Sequence, residues 1–364
     1  MSLARHVFHR AVRFMPLLVF HYPKVLAAAL NWRNLTYKKT VLAEVSGTAT
    51  YNSGRFAIFV MWQKHQTPWY VWNALNALNE AQANVVLVVN HELSQDRMNS
   101  LLPHVSTILF RNNAGMDIGG YKDATAFITR TAKPEKVAYL NDSVYYFKRG
   151  LSRVITRLFE SPADVVGAFE NWEIRYHLQS FCVSFSGRMF ASEPFQKFWK
   201  KYLPVNSRVW AINRGEAILT KKILQTTNEI DIVFRLSDLS STLETFNDKE
   251  AKSWPSFLPA TIRPQTQEVR FLPATEIANL VSHRAATRSP IHTAGLLFTK
   301  YMENPLMKRD LVYRMQFDAR EVERLLDKAG IDEGREHIFT EIRKKGMGSQ
   351  LDFLDKIKFS AGIK

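Results

Sequence analysis

From Arg55 onward the chain alternates short, continuously apolar runs with stretches of helical period. FAIFVMW (56–62), NVVLVVN (84–90) and STILFRN (106–112) have the length of strands buried on both faces. Between them, WYVWNALNALNEA (69–81) and a polar stretch from Ser94 to Leu102 carry helical spacing. Strands alternating with helices across short connections predict a parallel sheet flanked by helices on both faces, and crossover handedness makes a Rossmann-type half. KVAYLNDSVYY (136–146), DVVGAFE (164–170) and HLQSFCVSFS (177–186) read as further strands, and EPFQKFWKKYL (193–203) and RGEAILTKKILQTTN (214–228) as helices. Ser, Thr and Pro over 241–292 predict a long loop or insertion, and 293–364 read as helical. The expected organisation is therefore an N-terminal segment over 1–50, an α/β domain over 51–240, the loop, and a C-terminal helical region.

The N-terminus is apolar but interrupted. Between Arg13 and Lys24 the uncharged run is shorter than the ~20 residues a spanning helix needs, and Pro16 and Pro23 break it. No convincing small-residue cleavage site follows. Arg5, Arg10, Arg13, Lys24 and Arg33 among Leu, Phe, Val and Trp leave two readings: a basic amphipathic segment lying in an anionic bilayer interface, or a basic helix packed on the protein's own core.

Charge sharpens the choice of partner. Lys plus Arg number 49 against 34 Asp plus Glu, a net charge of +15, which favours nucleic acid, anionic lipid or phosphorylated substrates. Neither an aromatic RNA-binding strand nor a zinc knuckle is present, so no nucleic-acid partner is expected. Cys182 is the only cysteine, which excludes a disulfide framework and a thiolate metal cluster and fits a reducing cytoplasm. Hydrolase, redox and kinase motifs are missing too.

Candidate chemistry gathers where strands end. In open α/β sheets ligands bind beyond the carboxyl ends of the strands, which groups Gln63, Asn90, Asn112 and Asp142 around one crevice. RNNAGMDIGGYKD (111–123) follows the third strand. Gly115, Gly119 and Gly120 would let backbone amides approach a ligand, Asn112 and Asn113 offer neutral hydrogen bonds, and Asp117 accepts from a sugar hydroxyl. A tight structural turn accounts for the same residues. Asp142, at the end of an apolar strand, can face a hard cation or cap the following turn; Asn141 and Ser143 flank it. His177 and Gln179 share one face of a strand, with Glu170 and Glu173 just before. Glu216 falls at a helix start, where the dipole favours its ionised form.

RNNAGMDIGGYKDA, YLNDSVYY, HLQSFCVSFS with a downstream FxxFW (Phe195 to Trp199), and PLMKRDL together resemble the rhamnan synthesis protein F family over roughly residues 54–315. These are rhamnosyltransferase-like proteins of bacterial cell-surface polysaccharide assembly. The resemblance implies a GT-A-like α/β fold: a Rossmann-type mixed sheet with helices on both faces, plus the N-terminal basic amphipathic segment and C-terminal helices. It implies a glycosyltransferase that moves a sugar from a nucleotide-sugar donor such as dTDP-L-rhamnose. The acceptor would be a lipid-linked or surface glycan of O-antigen or rhamnan type, met on the inner face of the plasma membrane. Mg2+ or Mn2+ would sit at Asp142. Donor contacts would come from Gln63, Asn90, Asn112, Asn113, Gly115, Asp117, Gly119, Gly120, Tyr121, Lys122, Asn141 and Ser143, and acceptor contacts from Gln179 and Lys308. Glu216 is the expected base for inverting displacement, with Glu170 in reserve and His177 beside it. A catalytically inactive sugar-binding protein of the same fold is the alternative.

Overall fold

A computed structural model of the chain describes residues 22–33, 40–173, 175–311 and 317–345. The basic segment before Tyr22 lies outside the described residues; helix α1, Tyr22–Arg33, follows it. The sheet is built from β1 (Val41–Ser46), β2 (Arg55–Met61), β3 (Asn84–Val89), β4 (Thr107–Arg111) and β5 (Lys136–Asn141), joined further on by β7 (Val165–Gly167), β10 (Cys182–Ser186) and β11 (Ile230–Ile232). Eight strands run in the order β1-β4-β3-β2-β5-β10-β7-β11. β4, β3, β2 and β5 are mutually parallel, while β1 and β10 are antiparallel to their neighbours, so the sheet is mixed. The expected α/β class and Rossmann-type half are present.

Period-two alternation sorts the strand residues into two cores. Ala57, Phe59, Met61, Val85, Leu87 and Leu140 pack in one layer, and Ile58, Val60, Val86, Val88 and Tyr139 in the other. Coverage on both faces explains why these strands are apolar throughout rather than alternating. Helices α2 (Trp69–Glu80) and α5 (Leu151–Glu160) cover the first face. Helices α4 (Met116–Thr131), α6 (Glu193–Lys201) and α7 (Ala217–Leu224) cover the second; the polar α3 is Gln95–Leu101.

Several expected elements need correction. KVAYLNDSVYY is two strands: Asn141 Oδ1 accepts the Ser143 N–H at 3.0 Å, which ends β5 in a turn. The chain resumes as β6 (Val144–Tyr146), paired antiparallel with β12 (Leu306–Lys308). HLQSFCVSFS also splits, into β9 (His177–Leu178), which pairs with β8 (Glu170–Asn171), and β10. Between them the Ser180 N–H turns to the Glu216 carboxylate at 3.0 Å instead of to a ladder partner. Residues 241–292 are not a loop. They hold Asp248–Ala251, Thr266–Val269 and α9 (Ala274–Ala286), packed with α8 (Leu236–Leu243) through buried Leu243, Trp254, Phe257 and Ile277. Their Asn, Gln and Pro residues are helix caps, and caps are the same residue types as loops.

The glycines of the 111–123 stretch serve packing. Gly115 has φ 81° and its N–H is taken by Asn206 Oδ1 at 2.6 Å. A Cβ on Gly120 would press on Val60 and Val88 of the sheet, at 2.9 to 3.3 Å. The expectation that these amides approach a ligand is therefore corrected for Gly115 and for Gly119, whose N–H bonds Gly115 O at 2.8 Å inside the helix. Ala is normally the better helix former by about 1 kcal/mol. At position 119, however, the added Cβ would lie 2.1 Å from Ala114 O, a backbone atom. Gly119→Ala is expected to lower unfolding free energy by about 1–3 kcal/mol in urea titration; a gain in stability would show that the helix does not sit this tightly on its own entry loop.

Candidate functional site

A cleft of about 710 Å³ opens at the carboxyl edge of the parallel strands, between Val60 near the end of β2 and Trp62 just after it, Asn90 after β3 and Asn141 at the end of β5. Its far wall is the helical segment Arg208–Trp210 and a π-helical turn over Ala211–Glu216; His292 and Lys308 line the cleft as well. π-turns of this kind cluster at functional sites because they shift side chains off the regular helical register.

Asp142 is 8% exposed. Its Oδ2 accepts from Trp62 N at 2.9 Å and from Gln63 Nε2 at 2.6 Å. Arg309 lies 4.0 Å from the same oxygen and donates to the Asp142 carbonyl at 2.6 Å. Burial pushes the Asp142 carboxyl above its usual range even so. Oδ1 carries none of these bonds. Gln63 does not line the cleft; it holds Asp142 while donating to Tyr70 as well.

Asp117, in the first turn of α4, accepts from Ile118 N at 2.9 Å and from Asn141 Nδ2 at 2.8 Å. Burial, with the Glu216 charge behind it, pushes its carboxyl up to about 6. Glu216, the last residue of the π-turn, is fixed on Oε1 by the Ser180 N–H and by its hydroxyl at 2.6 Å. Oε2 faces His177 Nε2 at 3.7 Å. Because His177 Nδ1 bonds the Arg175 carbonyl at 2.8 Å, and a carbonyl only accepts, Nδ1 carries a proton and Nε2 is the ring nitrogen turned toward Glu216.

Lys308 arrives from β12 and donates to Ser143 Oγ at 3.1 Å, with Nζ 4.0 Å from the centre of the Phe181 ring. It therefore stands on the Asp142 side of the cleft. Gln179 lines the opposite lip and reaches Ser289 Oγ at 3.4 Å. Asn113 also lines the cleft. Asn112 is exposed beside it, while Tyr121 and Lys122 turn away, donating to the carbonyls of Ser180 at 2.9 Å and Tyr202 at 2.5 Å. Glu170 is outside the lining, in the electrostatic company of Arg235 and Tyr176.

Sequence reasoning missed Arg208, His292, Arg309 and Asp310. His292 Nε2 meets Asp310 Oδ1 at 3.1 Å, and Arg208 meets Asp310 Oδ2 at 3.0 Å. Although burial acts the other way, His292, Arg208 and Lys308 hold Asp310 well below the usual carboxylate range. The KRD triplet inside PLMKRDL was the available signal. So was the buried Arg111, whose place at a strand end was passed over.

Among the described residues no three His, Cys, Asp or Glu side chains cluster as a resident metal site. Mg2+ is often held by one or two carboxylates completed by substrate phosphates and water, and Asp142, whose Oδ1 accepts no hydrogen bond among the described residues, meets that minimum.

Comparison with known proteins bears on these positions. The uncharacterized protein y4gN of Sinorhizobium fredii is 28% identical over 206 residues, 55% of this chain and 53% of that protein. The chain thus spans about half the length of the curated relative it matches. Among solved structures, the mannosyltransferase PcManGT of Pyrobaculum calidifontis, in complex with GDP-Man and Mn2+, is 11% identical with a TM-score of 0.31 and 97% of each chain covered. The glycosyltransferase GlyE of Streptococcus pneumoniae TIGR4 is 11% identical with a TM-score of 0.29, covering 50% of this chain and 46% of that one. Residues 85–253, which carry Asn113, Asp117, Asp142, His177 and Glu216, match the family model described as rhamnan synthesis protein F.

Proposed function

We propose that the protein is a glycosyltransferase, rhamnosyltransferase-like, which moves a sugar from a nucleotide-sugar donor such as dTDP-L-rhamnose to a growing cell-surface polysaccharide. The observation that carries this reading is the convergence of Asp117, Asp142 and Glu216 on one cleft at the carboxyl edge of the sheet, within the stretch matched by the family model. The acceptor in this reading is a lipid-linked glycan met at an anionic membrane surface. No described helix is long and apolar enough to cross a membrane, which fits a peripheral contact.

The donor diphosphate enters beside Asp142, where Lys308 and Arg309 supply positive charge. A divalent ion bound at Asp142 with the phosphates would add further charge neutralisation. Glu216 Oε2 takes the proton of the acceptor hydroxyl as its oxygen bonds the anomeric carbon. The bond from that carbon to the diphosphate oxygen breaks on the opposite side, so configuration inverts. Ser180 fixes the Glu216 carboxylate through Oε1, and His177 faces the oxygen that receives the proton.

Thermal-shift screening against a panel of nucleotide sugars tests the reading directly. The cognate donor at a hundredfold excess over its Kd is expected to stabilise the fold by about 2.7 kcal/mol. A panel without any shift would remove the donor site. Donor binding without turnover would favour the inactive sugar-binding alternative. Glu216→Gln is expected to reduce turnover about 100-fold or more while donor affinity holds, since a general base contributes 10²–10⁴; near-normal turnover would move the base elsewhere.

Asp117 gives a pH signature. Its carboxyl sits at about 6 when folded, above the unfolded value of 3.8, so the folded state binds the extra proton between those values. The contribution of this group to stability is therefore greatest at low pH and falls as pH rises through about 6. Asp117→Asn is expected to flatten that descent in denaturation curves taken from pH 4 to 7, and an unchanged slope would mean Asp117 titrates normally.

A further inference from the structure

The net charge of +15 is not stored in the cleft, where Asp117, Asp142, Glu173, Glu216 and Asp310 outnumber Arg208, Lys308 and Arg309. Positive charge gathers instead in a second, open groove of about 610 Å³ between α6 and α7. Lys197, Lys201, Arg214 and Lys222 line this groove with a single acid, Glu193, which lies 3.5 Å from Lys197. Lys201 and Arg214 are exposed and meet no carboxylate among the described residues. Between the cations the lining is apolar: Phe198, Leu203, Trp210 and Ile218. Such a surface matches a ligand with an anionic head and a hydrocarbon body.

Two features border the groove. Lys24 of α1 donates to Asn206 O at 3.0 Å, three residues past Leu203 of the groove lining. On that helix Tyr22, Leu26 and Leu30 are 50%, 60% and 50% exposed, and at i, i+4 and i+8 they form one apolar stripe. The groove also backs onto the cleft: Arg208, Ala211 and Ile212 line the cleft, while Trp210 and Arg214 of the same segment line the groove.

We infer that this groove docks the protein on an anionic bilayer, with lipid phosphates between Lys201, Arg214 and Lys222 and acyl chains against Phe198, Trp210 and Ile218. The inference deepens the membrane-side part of the proposed function and rests on it. It also orients the molecule, because a lipid seated in the groove would bring the glycan it carries to the Arg208–Glu216 wall of the cleft, on the side where Glu216 meets the donor.

Vesicle flotation of the full chain without donor tests it, comparing phosphatidylcholine alone with phosphatidylcholine and phosphatidylglycerol in equal parts. Binding is expected only with phosphatidylglycerol, and it should weaken as salt rises because the contact is electrostatic. Lys201→Glu combined with Lys222→Glu is expected to weaken vesicle affinity roughly 25-fold or more, taking about fivefold for each basic residue at the surface. Glu193→Gln, which removes the one acid, is expected to tighten it. The N-terminal basic residues are present in every arm, so their contribution cancels. Equal binding of the variants and the parent, equal binding to neutral vesicles, or binding of generic DNA in place of vesicles would each overturn the assignment. Because no arm contains donor, failure here leaves the thermal-shift result on nucleotide sugars standing, and the two readings fall separately.

Discussion

The buried guanidinium of Arg111 is the constraint on which the cleft depends. It stands at the end of β4, pairs with Asp123 of α4 at 2.7 Å, and donates to Asn90 Oδ1 at 3.1 Å and Ala114 O at 2.7 Å. One planar group thus ties the ends of β3 and β4, the entry loop and the helix that carries Asp117. Its donors are matched by a carboxylate, an amide and a carbonyl, the condition under which a buried charge is tolerated. Loss of one partner would leave charge without compensation beneath the cleft floor, so the geometry of Asp117 and Asn90 follows from a contact that no ligand touches.

Around that floor the carboxylates are held in different ways. Asp142 is surrounded by donors and a nearby guanidinium, Asp117 has two amide partners and a like charge across the cleft, and Glu216 is clamped on one oxygen only. Burial pushes the Asp117 and Asp142 carboxyls in the same direction, upward. Asp310, deep among His292, Arg208 and Lys308, stays anionic and orients the cations around it.

Much of the frame was legible because local pattern and global position agree. Apolar runs at 56–62, 84–90 and 106–112 lie within a residue or so of β2, β3 and β4, since strands buried on both faces leave no ambiguity of period. Asn141 and Ser180 were harder. Each ends a strand by diverting a backbone N–H to a side chain, and apolar content carries no trace of that. Gly119 and Gly120 were read as openings toward a ligand because glycine reports close approach without saying what approaches; here it is a carbonyl and two valines. Arg208 and His292 were illegible for another reason, because contacts with Asp310 join residues 102 and 18 positions apart.

The pairing of β12 with β6 has a consequence for biosynthesis. Lys308 reaches Ser143 across 165 positions and Arg309 reaches Asp142 across 167. The parallel strands leave the ribosome long before their basic partners do. A nascent chain can therefore assemble its parallel strands while the Asp142 side of the cleft still lacks its cations, and the finished charge pattern of the cleft arrives late in elongation.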